Sequence, residues 1–490
     1  MEQIKGKLGG KKVLLMGLGI LGGGAASARW LLEQGAILTI TDMKTAEALG
    51  PSLAKLEDIK SQIRFVLGEH KESDFIENDI IVVNPDVPST SPFIKIAREH
   101  GKRIENELSL FYAACPSRTT VAVTGTRGKT TTVNWTAHFL KGLRPDALIT
   151  GNSPENPLLG SLERISPETP VVIEAPSFLL ELAAESDFAP HVAVITNVYQ
   201  DHLNRHGTME NYAAIKGNVF RKQKAGDFAI FNYANEWTKY FIAQNPQSKI
   251  LFFYTKQLPQ NKEGIYADGG NIVLRLHGKE ETIMKSEEFV SQWGEHNLEN
   301  LLGASLAAIV SGLDHWEIET LARTLSQVRY RQEKIFENDF VRIYNDTAAT
   351  SPDATIAALA RFGKDGPGTT VLIAGGTDRD LDFKEWAVAV KANLRAENLI
   401  LLGGTATEKM KKELSQIGFG QINEKETLEE CLHATLLRAD ALSKDSGTKI
   451  AILFSPGAKS FGKFKNEFDR GQQFEAATEK LTGGKVREDA

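Results

Sequence analysis

The sequence predicts an α/β protein of three domains, and three observations carry that prediction. Apolar, β-branched runs that end in glycine turns and lead into helix-like spacing recur along the chain, at 12–33, 119–140, 340–359 and from 369 onward. This is how parallel sheets with crossover helices read. At 490 residues the chain is too long for one typical core. Two of the turns are glycine-rich enough to bring backbone N–H groups close to phosphate. The expected domains are 1–114, Rossmann-like; 115–328, a P-loop domain with a parallel sheet and a small β part; and 329–490, again Rossmann-like.

In the first domain, KVLLMGL (12–18) reads as a strand entering Gly17-Leu18-Gly19-Ile20-Leu21-Gly22. A helix follows over about 25–33, then a second strand, ILTITD (37–42). Asp42 stands twenty positions beyond Gly22, the dinucleotide spacing, although glycine-rich turns are common in any doubly wound sheet. The turn therefore predicts a nucleotide-type diphosphate without specifying NAD. A third strand, DIIVVNP (79–85), delivers Asn84-Pro85-Asp86 to the carboxyl edge, where such sheets bind ligands.

The central domain opens on TTVAVTGTRGKTTTVNWTAHFL (119–140). A buried strand, the turn Gly125-Thr126-Arg127-Gly128 and a helix N-terminus place backbone N–H groups and a positive dipole end together, a site for phosphate. Lys129 adds a point charge and Thr130 a hydroxyl suited to Mg2+. The P-loop pattern is incomplete, since its first glycine falls on Val123. Without Gly-Lys-Thr-Thr the turn reads as an ordinary strand-to-helix connection; with it, as a nucleotide site. VVIEAPSFLLEL (171–182) puts Glu174 at a strand end, where P-loop enzymes keep a Mg2+ anchor; the alternative is a salt-bridged surface carboxylate. HVAVITN (191–197) leads into Asp201, His202 and His206, then a helix bearing Lys216. A Gly269-Gly270-Asn271 turn marks a hairpin. Asn297 and Asn300 share a face near the start of the helix at 294–313, which suits a ligand or simple N-terminal capping. In the third domain, strands at 340–345, 369–375, 398–402 and 449–454 each run into a polar or glycine loop.

Apolar residues at 41%, charged residues at 24% and a net charge of −6 exclude a basic field for nucleic acid. Cys115 and Cys431 lack metal or redox spacing, which fits a reduced, cytoplasmic setting. The N-terminal stretch has no apolar core of a targeting segment, and no run is long enough for membrane insertion.

Taken in order, GLGxxG, TGTxGKTT, TNVxxDHLxRH with a downstream lysine, HNxxN, YRxE, NDTxAT and SPGAxSFxxFKN resemble the Mur ligase family along almost the whole chain. Within it the glutamate-adding branch is nearest, because SPGAKSFGKFKNEFDRG is similar to that branch's glutamate segment and the diaminopimelate- or lysine-adding signature DNPR is absent. Folylpolyglutamate synthases share the later motifs but normally lack the first domain. The resemblance implies an ATP-dependent amide ligase that adds D-glutamate to UDP-MurNAc-L-alanine through an acyl phosphate, as a cytoplasmic monomer in peptidoglycan precursor synthesis.

It also implies roles for single residues. Gly125, Thr126, Arg127, Gly128, Lys129, Thr130 and Thr131 would hold ATP phosphates. Asn297, Asn300, Arg331 and Asp346 would hold adenine, phosphate and ribose. Two Mg2+ sites would draw on Thr130 and Glu174, and on His202 and a carbamylated Lys216; read alone, Lys216 is equally a solvated helix lysine. Gly19, Ile20, Leu21, Asp42, Lys44, Asn84 and Asn152 fall where the UDP-sugar is gripped, and Arg379, Ser460 and Phe468 where the amino acid is. The chain departs from the family at Arg127 (usually Asn), Pro176 and Leu179 (Ser and Gln), Ala348 (Lys), Arg379 (Lys) and Glu467 (an aromatic). These changes leave L-glutamate or another amino acid as an alternative acceptor. A nucleotide-binding oxidoreductase, from GxGxxG and Asp42, and a non-catalytic nucleotide switch, from Ala348, are the readings from other classes.

Overall fold

The computed structural model describes residues 8–486 except 21, 153–155, 364–368 and 379, so Leu21 and Arg379 lie outside the described residues. Three sheets organise the chain. The first holds β1 (Lys12–Met16), β2 (Ile37–Asp42), β3 (Ile63–Leu67), β4 (Ile80–Val83) and β5 (Arg103–Asn106), all parallel, in the order β3-β2-β1-β4-β5. The order in which strands are added reverses between β1 and β4, and their carboxyl ends form the switch point. The run expected as third strand is therefore β4. The two unforeseen strands, β3 and β5, are the edges, where one side needs no partner strand and the apolar signal thins: β3 carries an exposed Arg64 mid-strand.

The second sheet follows the order β14-β13-β12-β11-β10-β9-β6-β8-β7. Its strands are β6 (Thr120–Thr124), β7 (Leu148–Gly151), β8 (Val171–Glu174), β9 (Val192–Ile195), β10 (Phe228–Asn232), β11 (Lys249–Tyr254), β12 (Gly264–Asp268), β13 (Asn271–Leu276) and β14 (Lys279–Lys285). Pairing is parallel from β7 to β12 and antiparallel across β12-β13-β14. Gly269 and Gly270, at φ 55° and 80°, make the tight turn of the predicted hairpin. β6, β8 and β9 are buried along their whole length, as central parallel strands are.

The third sheet comprises β15 (Glu333–Glu337), β16 (Val341–Asn345), β17 (Thr370–Gly375), β18 (Leu399–Leu402), β19 (Asn423–Lys425) and β20 (Ile450–Phe454), ordered β15-β16-β20-β17-β18-β19. Only β15 is antiparallel to its neighbour. By internal packing the chain divides into two compact units, Met1–Gln292 with Asn297–Leu325, and Trp293–His296 with Ser326–Ala490. The first unit contains the first two sheets, and one continuous core runs through both, from Val13 and Leu31 to Ile173 and Phe231. Each such buried side chain contributes roughly 1.5–3 kcal/mol. Among the described residues no helix is long and apolar enough to cross a membrane.

Candidate functional site

β6 lies between β9 and β8, so the chain leaves it at the middle of the sheet's carboxyl edge. The turn Gly125–Gly128 then opens the helix Lys129–Leu143. Gly128 has φ 79°, and any side chain there would also run into the amide oxygen of Asn300. Asn197, just past β9, pins the turn: its carbonyl accepts from Thr126 N–H and its side-chain Oδ1 from Arg127 N–H, both at 2.9 Å. Lys129 Nζ donates to the carbonyls of Gly125 and Thr126, both at 3.0 Å. From the helix Met209–Gly217, Lys216 Nζ donates to the same Gly125 carbonyl at 2.8 Å and lies 4.3 Å from the Tyr212 ring centroid.

Lys216 is not the solvated helix lysine that spacing alone allowed; it is 1% exposed. Burial first, and the like charge of Lys129 second, hold its amine well below the usual lysine range, with Asp201 acting the other way. Glu174 ends β8 in register with Val123 of β6 and Gly151 of β7. It is 6% exposed, and among the described residues its carboxylate accepts no hydrogen bond and forms no ion pair, so it is no salt-bridged surface acid. Thr130 and Thr131 occupy the first turn of the helix Lys129–Leu143.

His202 and His206 separate. His202 has φ 53° and keeps a half-buried ring, 3.4 Å from Asp201 Oδ2 and 4.9 Å between centroids from Phe178. His206 is buried against Ser177 Oγ (3.0 Å) and Glu181, and burial lowers its pKa. Asn300 faces the turn rather than solvent: its Oδ1 accepts from Thr132 Oγ1 at 3.3 Å and its Nδ2 donates to Asn297 Oδ1 at 2.9 Å. Arg127 stacks 5.2 Å from the Tyr199 ring centroid. Leu179 is in the core at 3% exposure.

At the switch point of the first sheet, Asp42 turns inward. One carboxylate oxygen accepts from Leu18 N–H (2.9 Å) and Gly19 N–H (3.2 Å), the other from Lys44 N–H (2.9 Å). Asn84 packs across Gly17 and Gly19 and closes its own turn by accepting Asp86 N–H at 3.0 Å. Ile20 is exposed at 44%, and Lys44 and Asn152 are exposed too. Asn152 N–H donates to the Glu174 carbonyl at 3.2 Å. Sequence reasoning missed Ser52, whose Oγ donates to the Gly19 carbonyl at 2.7 Å, and Glu107, buried beside Gly23 and accepting from Ser27 Oγ at 2.9 Å. Neither belongs to a spacing pattern.

In the second unit, Asp346 follows β16, and its carboxylate accepts from Gln332 N–H (3.1 Å) and Ser455 Oγ (2.7 Å). Burial pushes its pKa up to about 7, against those bonds and the nearby Arg331 and Arg361. Arg331 is exposed. The Ser460 hydroxyl is buried with no hydrogen-bond partner, and Phe468 is 38% exposed, 6.1 Å between centroids from Tyr330. Arg470, also missed, is fully buried; it donates to Thr347 Oγ1 (3.0 Å), the Thr347 carbonyl (2.8 Å) and the Ala458 carbonyl (3.1 Å). It thus ties the loop after Asp346 to the loop before Ser460, and burial lowers its pKa to about 10.

Comparison with known proteins adds two family models, the Mur ligase middle domain over 123–308 and the Mur ligase MurD-like N-terminal domain over 11–105. A protein of Roseiflexus sp. (strain RS-1), named UDP-N-acetylmuramoylalanine–D-glutamate ligase, is 37% identical over 485 residues, covering 97% of this chain and 100% of the relative. One of the same name from Clostridioides difficile (strain 630) is 33% identical over 468 residues, covering 95% and 98%. Among solved structures, UDP-N-acetylmuramate-alanine ligase MurC of Thermotoga maritima matches with a TM-score of 0.56 at 21% identity, covering 96% of this chain and 99% of that one. MurF ligase of Thermotoga maritima, in complex with ADP, matches at 0.54 and 19%, covering 97% and 96%. At these identities the structural likeness is one of fold.

Proposed function

The chain belongs to the Mur ligase family, and we propose that it joins D-glutamate to UDP-N-acetylmuramoyl-L-alanine with ATP. The γ-phosphoryl group passes to the alanyl carboxylate, giving an acyl phosphate and ADP. The glutamate amine attacks the acyl carbon and loses a proton, and the carbon–oxygen bond to phosphate breaks to leave the amide. Such chemistry asks the protein mainly to position three substrates and to balance negative charge.

The observation that carries this reading is the meeting of Lys129 and Lys216 on one carbonyl of the turn after β6. Two ammonium groups cannot both stay charged there at low cost. Lys129, half-buried at the start of the helix, is placed to meet the phosphates. Lys216 is driven toward the neutral amine, the form that adds CO2 to give a carbamate. The N–C bond forms from the neutral amine and one proton is released to solvent, leaving a carbamate anion, and the burial of Lys216 supports its carbamylation in this chain.

The donor set suits Mg2+, which takes few protein oxygens and keeps phosphate and water for the rest. Glu174, a buried carboxylate without a donor, and the Thr130 hydroxyl would hold one ion; His202 and the Lys216 carbamate would hold the other. Bound there, the ions supply positive charge to the phosphate oxygens. Among the described residues no group of three His, Cys, Asp or Glu forms a cation site by itself, which agrees with sites completed by ligand. Asn297, Asn300, Arg331 and Asp346 hold the nucleoside part of ATP, with Gly125–Thr131 on its phosphates. Gly19, Ile20, Leu21, Lys44, Asn84 and Asn152 grip the UDP-sugar, and Asp42 serves that grip by fixing the loop. Asp42's carboxylate is engaged by three loop N–H groups, which gives it a role in shaping the turn.

Arg379, Ser460 and Phe468 take the amino acid, and the unpartnered Ser460 hydroxyl suits a substrate carboxylate. The three domains, 1–114, 115–328 and 329–490, divide this labour, and the chain works as a cytoplasmic monomer. The test is phosphate release by the purified protein with MgATP and UDP-N-acetylmuramoyl-L-alanine, run with D-glutamate, L-glutamate or no amino acid, with product mass measured. Turnover with D-glutamate alone is expected. Turnover with L-glutamate alone would overturn the stereochemistry, and Ala348 and Glu467 are the first places to look. No product with either would overturn the reading.

A further inference from the structure

Arg205 makes an arrangement that the reaction above leaves unexplained. It lies in the single helical turn Leu203–His206, three residues after His202. Its Nε donates to Glu181 at 2.5 Å, while its two terminal nitrogens donate to the consecutive carbonyls of Asp86 (3.1 Å) and Val87 (3.0 Å). The Phe178 ring covers one face of the guanidinium at 4.5 Å. The other oxygen of Glu181 accepts from Ser89 N–H at 3.0 Å. The pair therefore grips one short loop, 86–89, at two carbonyls and one N–H, and Glu181 is almost wholly buried, its side chain 4% exposed. Such a fork fits only one conformation of two successive peptide groups.

That loop begins at Asn84, which lies over Gly17 and Gly19 and caps Asp86 N–H. A continuous path of contacts thus runs from the glycine turn after β1, through Asn84 and the loop, to Arg205 and the turn that carries His202. Phe178 reinforces its far end, packing against both Arg205 and the His202 ring.

We propose that Arg205, held by Glu181, is a positioning residue through which occupancy of the UDP-sugar turn sets the placement of His202, making UDP-sugar and Mg-nucleotide binding interdependent. This rests on the function proposed above for the two turns. Contiguity alone does not establish coupling, so the test must measure it. Dissociation constants for UDP-N-acetylmuramoyl-L-alanine are measured by calorimetry with and without saturating MgADP, in wild type, Arg205→Met and Arg205→Lys, alongside product formation by wild type.

Wild type is expected to bind the UDP-sugar about 10-fold more tightly with MgADP. Arg205→Met is expected to bring that ratio to about 1, and Arg205→Lys, which keeps a charge for Glu181 but not the fork, to lower it by more than half. A merely structural arginine would lower thermal stability and leave the ratio unchanged. Should the Met variant fail to fold, the Lys variant decides. A wild-type ratio near 1, or a ratio retained in the Lys variant, would overturn the proposal while product formation still stood. Absence of product from wild type would instead remove the functional reading and this proposal with it.

Discussion

The turns after β1 and after β6 are built alike, each a buried strand, a glycine turn and a helix at the carboxyl edge of a parallel sheet, yet different ionisable groups stand against them. Against the first stand two carboxyl groups, Asp42, bonded to Leu18 and Gly19 N–H, and Glu107, buried beside Gly23, with the Lys55 amine near Gly22. Against the second stand two amines, Lys129 and Lys216, both on the Gly125 carbonyl. The backbone motif supplies N–H groups in either case; the side chains decide what they are for. A turn whose N–H groups already hold a carboxylate is stiffened, and binds through shape and what remains exposed. A turn edged by lysine side chains at a helix N-terminus is suited to the phosphates of a nucleotide triphosphate. Burial also drives Glu107 and Lys216 in mirror-image directions, each toward its neutral form. Only the neutral amine gains reactivity from that.

The comparison breaks most visibly at Lys129. Lys129→Ala is expected to lower ATP-dependent phosphate release by about 10³-fold or more, since it deletes a charge aimed where negative charge develops. Normal turnover in that variant would remove the assignment of the second turn to phosphate.

Next in size is Lys216→Arg, which keeps a cation but can neither lose its proton nor be carbamylated. Activity is expected to fall about 10²-fold, on the scale of losing one preorganised electrostatic group. A carbamate resonance from carbon-labelled bicarbonate should appear in wild type and vanish in the variant. A variant with full activity would mean that the buried amine acts only through its bond to Gly125.

Asp42→Ala tests the acidic turn. It leaves the N–H groups of Leu18, Gly19 and Lys44 without their acceptor, and the loop loses its fixed shape. UDP-sugar affinity is expected to drop about 10-fold, near 1.4 kcal/mol, with MgATP affinity unchanged. Equal losses for both ligands, each measured alone, would show that Asp42 supports more than its own turn.

How much of this was legible in sequence follows from how each feature is encoded. The inner strands β1, β2, β4, β6, β8 to β11, β16 to β18 and β20 announce themselves as apolar runs, because a strand covered on both faces is apolar over most of its length. The edges β3, β5, β15 and β19 did not, because stretches such as RIEN and NEK are short and polar and resemble loops. Lys129 and Glu174 were legible as candidates because each sits directly beyond a glycine turn or at a strand end, whereas the roles proposed for His202 and Lys216 came from the resemblance to the Mur ligases. Lys216's burial was not foreseeable, since the helix Met209–Gly217 shows no apolar stripe that would say which face turns inward. Ser52, Glu107, Arg205 and Arg470 act through bonds between residues far apart in the chain, several each for the two arginines, and such bonds leave no periodicity to read.

The smallest expected effect is also the sharpest test of the mirror image, and it concerns Glu107. Burial raises its pKa above the reference of 4.5, with the Ser27 hydrogen bond acting the other way. The folded chain then keeps this proton at pH values where the unfolded chain has released it. Its contribution to stability is complete below about pH 4.5 and is lost as pH rises through the raised value. Glu107→Gln has no proton to lose and can still accept from Ser27 through its amide oxygen. Near pH 4 its unfolding free energy should match wild type within about 0.5 kcal/mol. At pH 8 the variant should be the more stable of the two. Denaturant unfolding of both proteins across that range measures the difference and cancels every other titrating group. A variant less stable than wild type at pH 8 would mean that the ionised carboxylate is held favourably beside Gly23. The first turn would then want negative charge within it, and the opposition between the two turns would lie in what each has evolved to bind rather than in what burial forces on an isolated acid and an isolated base.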